Sequence, residues 1–146
     1  MNMWKVMLIA LWLGILAFMD IRRRQVPIWL LAVSGMLVTY VSVYEIWQGS
    51  MGGLEILWSI LPGFMLLLTA LLSKKAGWAD GVVLLLLGIL TGFRECVVSF
   101  TISMLAISVI SLALLIMKRV EKNTKIPYLP FLWGGFLVQS ALNLAA

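Results

Sequence analysis

Histidine is missing from this chain, and cysteine occurs once, at Cys96. Without a thiol pair there is no disulfide frame. Without His, the usual Cys/His zinc sites, His-ligated haem and every His-based triad are excluded. Charge is scarce as well: 12% of the residues are Asp, Glu, Lys or Arg, about half the share of an ordinary globular domain. The apolar runs show no period-2 alternation, which removes a membrane β-barrel. Internal repeats and low-complexity segments are also lacking.

What is present is apolar: 63% of the 146 residues are hydrophobic, and the mean hydropathy is +1.09. In lipid only helices or closed barrels satisfy the backbone. The composition therefore predicts an all-α integral membrane protein, a bundle of about six transmembrane helices forming one domain over 1–146. At roughly 20 residues per crossing, the spans are expected near 3–19, 28–47, 54–72, 76–92, 97–117 and 128–144. Phe18-Met19-Asp20 follows the first apolar run without a small-residue cleavage site, so that span is expected to be retained rather than removed as a signal. Pro62-Gly63 is expected to kink the third span.

The net charge of +5 is distributed as a topology signal rather than as a nucleic-acid footprint. Arg22, Arg23, Arg24, Lys74, Lys75, Lys118, Arg119, Lys122 and Lys125 all fall in alternate links. Lys and Arg in short links favour the cytoplasmic side. Both termini are then expected outside, with Asp20 and Asp80 at one membrane depth on the cytoplasmic face. Glu45, Glu55 and Glu95 would be solvated charges on the outer side, and Trp4, Trp29, Trp47, Trp78 and Trp133 interface anchors.

Ionisable groups in membrane segments are costly and usually functional. Asp80, in Gly77-Trp78-Ala79-Asp80-Gly81, and Asp20, at the end of the first run, are the two carboxylates so placed. A pair of carboxyls holding one proton between them can activate a water and protonate a scissile carbonyl. No Ser-x-x-Lys spacing offers another nucleophile and base. Simpler readings exist for each residue. Asp20 can pair with Arg23 or Arg24, and Asp80 can cap its own helix. Intramembrane carboxylates also serve proton or cation relays in small transporters. An inactive assembly factor of a pilus or secretion system is a further alternative.

Three stretches resemble the type IV prepilin and preflagellin peptidases. Asp20, Arg22, Val26 and Pro27 match Asp-x-Arg-x-x-x-Ile/Val-Pro. Gly77 to Asp80 is similar to Gly-x-Gly-Asp, with a later Gly88 or Gly92. Lys125-Ile126-Pro127-Tyr128-Leu129-Pro130-Phe131 resembles Ile-Pro-x-x-Pro-Phe before the last helix. The resemblance implies a membrane aspartyl endopeptidase with Asp20 and Asp80 as the catalytic pair. Arg22, Pro27, Gly77, Ala79, Lys125 and Pro127 would support them. It implies no cofactor or metal. The implied partners are a pilin-like precursor, with a basic leader before an apolar helix, and the bilayer; nucleic acid is not among them. Three positions depart from the pattern: Ala79 stands in place of the second Gly, Gly81-Val82 in place of a pair ending in Lys, and Ile28 where Asn is frequent. The paired Cys-x-x-Cys domain of larger members has no counterpart, so a peptidase-only chain is expected. Gly63, Gly88 and Gly134-Gly135 are expected to allow close helix packing.

Overall fold

A computed structural model describes residues 3–23, 26–49, 52–73, 77–117 and 127–145. Six helices account for nearly all of these residues: α1 (Met3–Arg23), α2 (Ile28–Trp47), α3 (Gly53–Ser73), α4 (Trp78–Thr91), α5 (Phe93–Ile116) and α6 (Leu129–Ala145). The fold class is all-α, as expected. Four helices, α1, α2, α3 and α5, are long and apolar enough to cross a membrane, while α4 and α6 are shorter apolar helices. The 14 residues of α4 make roughly 21 Å at 1.5 Å per residue, short of the 30 Å or so of a hydrocarbon core.

Two boundaries differ from the sequence-based expectation. The first helix does not stop at residue 19; it continues through Asp20 to Arg23. Ile and Arg sustain a helix, and the first obstacle is Pro27, which disfavours helical geometry at Val26. The 93–95 link does not form either. Gly92, at φ +92, ends α4 in a conformation that side-chain-bearing residues rarely adopt, and α5 begins at the next residue. Pro62 lies inside an α3 that runs unbroken from Gly53 to Ser73, so the proline does not end the helix.

Contacts divide the chain into two units: residues 25–97, and residues 2–24 with 98–146. In the first unit α4 packs on both α3 and α2. The α3–α4 seam is a ladder of close backbone approaches. A Cβ on Gly81 would lie 2.9 Å from Leu67 Cα, one on Gly63 would strike the Leu85 backbone, and one on Gly88 would strike the Ser59 carbonyl. As the α4 number rises, its partner's falls, so the helices run antiparallel. Lipid tails are as apolar as Leu, so such contact, rather than escape from water, holds membrane helices together. The α2 stripe facing inward is Leu31, Ser34, Val38, Ser42 and Glu45. Glu45 is 8% exposed, which corrects its reading as a solvated outer charge. The 3- and 4-residue spacing places it on the buried face. Buried hydroxyls bond back along their helices, Ser34 to the Leu30 carbonyl and Ser42 to that of Val38, a usual way of satisfying such groups.

In the second unit α1 packs on α6. Ile9, Leu13, Leu16, Ala17 and Asp20 form the buried stripe of α1. Leu129, Leu132, Gly135, Phe136, Gln139 and Ser140 form that of α6. Trp133 donates from Nε1 to the Ala10 carbonyl at 2.8 Å, and its ring covers Gly14. Gly135 meets the Ser99 carbonyl and Ser103 on α5, whereas Gly134 faces open space. Of the two adjacent glycines, only Gly135 serves packing.

Candidate active site

Asp80 is the third residue of α4, after the N-cap Gly77. Its own N–H donates to the Gly77 carbonyl at 3.1 Å. The third helical position is the one from which an acidic side chain reaches back toward the N-cap, and the Asp80 carboxylate does fold back over Gly77. A Cβ on Gly77 would stand 2.8 Å from Oδ2. The first glycine of the motif therefore keeps space for the carboxylate. Ala79 sits one position earlier within the same helical turn. That position is helical and asks for no left-handed backbone. Alanine there favours the helix by about 1 kcal/mol over glycine. Trp78, the first residue of α4, is exposed.

Gly81 follows Asp80 and is buried against the Leu67 backbone of α3. Sequence reading registered it only as a departure from the pattern. The seven-residue spacing of Gly81 and Gly88 was the available signal for a packing face. Asp80 itself is half-buried. A cleft of about 330 Å³ between Glu55, Trp58, Thr91, Arg94 and Glu95 lies at the far end of α4. That is roughly 16 Å from Asp80 at 1.5 Å per residue, so it does not belong to the carboxylate's surroundings.

Asp20 belongs to the other unit. It is in the last full turn of α1 and 8% exposed. Its Oδ2 accepts the backbone N–H of Leu129 at 3.2 Å, and the backbone of Tyr128 donates to the same carboxylate. The start of α6 is thus brought onto Asp20 across 109 residues of sequence. This contact joins the first and third motifs, and sequence reasoning did not foresee it. Arg22, in the same motif, is exposed and places its guanidinium 5.6 Å from the centre of the Phe18 ring. The partner of Asp20 is backbone, not Arg23.

Pro27 precedes α2 as its N-cap residue, at φ −66 and ψ 137, and its carbonyl accepts from Leu30 and Leu31. Pro127 precedes the N-terminus of α6. Lys125 lies outside the described residues, as do Arg24, Lys74 and Lys75. Cys96 is fully buried, with Sγ 3.6 Å from the Leu84 carbonyl. Among the described residues no three acidic or thiol side chains gather as a metal site.

Compared with known families, residues 7–112 match the profile of the type IV leader peptidase family. That stretch contains Asp20 and Asp80 with their flanking motifs and ends before α6. Neither curated proteins nor solved structures give a match.

Proposed function

The chain belongs to the type IV leader peptidase family, and from that premise we propose that it is an aspartyl endopeptidase whose catalytic pair is Asp20 and Asp80. The observation that carries the proposal is the family match, which spans 106 residues and takes in both aspartates. The Asp20 carboxylate is also held by the backbone N–H of Leu129, and that of Asp80 folds back over Gly77 at the start of α4.

In the proposed reaction the two carboxyls share one proton. The ionised carboxyl takes a proton from water as its oxygen attacks the scissile carbonyl carbon, and the protonated one donates to the carbonyl oxygen. Collapse of the tetrahedral adduct breaks the C–N bond and delivers a proton to the leaving nitrogen. Water is consumed, a carboxyl and an amine are released, and both aspartates return to their starting forms.

The substrate proposed is a pilin-like precursor, with a short basic leader ahead of an apolar helix. The enzyme would form one transmembrane domain of six helices with both termini outside and its aspartates at the cytoplasmic face. The Lys and Arg distribution supports that orientation. Asp20 lies in the last full turn of α1 and Asp80 in the first turn of α4, each next to a basic stretch of the sequence. Helices α4 and α6, though short, would cross by packing against longer neighbours.

The test is cleavage of such a precursor in membranes by the wild type, Asp20→Asn, Asp80→Asn and the control Glu55→Gln. Loss of a positioned acid or base costs 10²–10⁴-fold, so both Asn variants are expected to fall by about that much while the control cleaves normally. Cleavage surviving either Asn change ends the pair assignment. Proton flux through the wild type without cleavage would select a transporter instead.

A further inference from the structure

The segment Pro127-Tyr128-Leu129-Pro130 contains an unusual arithmetic of backbone donors. The first N–H groups of a helix have no partner within it. In α6, which begins at Leu129, the Tyr128 carbonyl accepts from both Phe131, at 3.0 Å, and Leu132, at 3.1 Å. Tyr128 is therefore the N-cap. Pro127 and Pro130 have no N–H at all. That leaves Tyr128 and Leu129 as the two donors of the turn that are not already used, and both are directed at Asp20. The tyrosine side chain cannot cap this helix as Ser, Thr, Asp or Asn would. A carboxylate from α1 does so in its place.

We propose that the Pro-x-x-Pro turn is a carboxylate clamp, which positions Asp20 for proton transfer by holding it on the two amides that the prolines leave unshared. The inference rests on the reading of Asp20 as catalytic. It adds a positioning role for Leu129, and with it a reason for the spacing of the two prolines. It also explains why Asp20 needs no basic side chain within the described residues: backbone dipoles at a helix start favour a negative group there. Leu129 and its neighbour Leu132 are fully buried, so the turn that carries the donors is fixed by packing.

Leu129 is the first helical residue, where proline is tolerated, and N-cap residues are typically extended, which suits the position before a proline. Leu129→Pro therefore removes one donor while keeping the helix start. Leu129→Ala removes the buried side chain and keeps the donor. With full-length enzyme and a pilin-like precursor peptide, Leu129→Pro should lose about 10- to 100-fold more kcat than Leu129→Ala at an unchanged KM, the size of a misplaced catalytic group. Equal kcat in the two variants overturns the clamp.

Should Leu129→Pro fail to fold, hydrogen exchange decides. The amides of 128 and 129 should exchange at least about tenfold faster in Asp20→Ala than in the wild type. They should stay slow in Asp20→Asn, whose side-chain oxygen still accepts. Equal exchange in all three overturns the clamp while leaving the aspartyl reading intact. Cleavage by Asp20→Asn would instead defeat the parent reading.

Discussion

At Gly77 one methyl group decides where a carboxylate stands. The fold-back of Asp80 occupies the space a side chain would take, with Oδ2 2.8 Å from the position of a Cβ. The carboxylate is the mobile end of its side chain, so a substitution there displaces the functional group rather than the helix. Gly77→Ser tests this cleanly, because serine is among the best N-cap residues. The variant should fold as well as the wild type, within about 1 kcal/mol. It should lose roughly 10- to 100-fold in kcat through misplacement. Thermal unfolding beside cleavage kinetics separates the two effects, and full activity in Gly77→Ser would remove the positioning role. Ala79 needs no such argument, since its helical position places no demand that glycine alone meets.

Between elements, the decisive feature is the antiparallel seam of α3 and α4. Gly63, Gly81 and Gly88 each face backbone of the opposite helix, so the spacing of the two helices depends on the absence of side chains at three points. One of them, Gly81, adjoins Asp80 and ties the seam to the carboxylate. Overpacking a core costs about 1–3 kcal/mol or more, and a helix backbone cannot yield as a side chain does. Gly88→Leu is expected to destabilise by at least that much, whereas Gly134→Ala, with open space around it, should be neutral or stabilise by up to about 1 kcal/mol. Thermal unfolding in detergent compares them. A Gly88→Leu protein as stable as Gly134→Ala would mean the seam opens without cost. Pro62 fits the same seam: it lies beside Gly63, and in membranes helices tolerate proline where neighbours resupply the lost contacts.

For the whole molecule, orientation depends on charge rather than on packing. With basic residues concentrated in alternate links, Gln48 after α2 should face outward and Asn123 in the link before α6 inward. Cysteines introduced singly at these positions should be labelled from opposite sides of intact cells by a membrane-impermeant thiol reagent, Gln48→Cys without permeabilisation and Asn123→Cys only after it. The native Cys96 is fully buried and should remain silent in both. Labelling of Asn123→Cys in intact cells would reverse the orientation and move the aspartates to the outer face.

Composition and hydropathy pointed to a helical class of about six apolar helices, because lipid allows few architectures, and the short, local motifs around Asp20 and Asp80 carried the resemblance to the family. Helix limits were less legible. Asp20 to Arg23 looked like a link because three of the four are charged, but charge does not obstruct a helical backbone, and α1 continues through them. Glu45 looked like a surface charge because its type usually is, yet a 3.6-residue period carries it to the buried face. Tertiary structure alone decided which glycines serve packing, Gly81 and Gly135 but not Gly134, since that depends on which helix lies opposite. It alone joined Asp20 to Leu129 as well. A hydrogen bond across 109 residues is made by the docking of two helices, and no local pattern in either one records it.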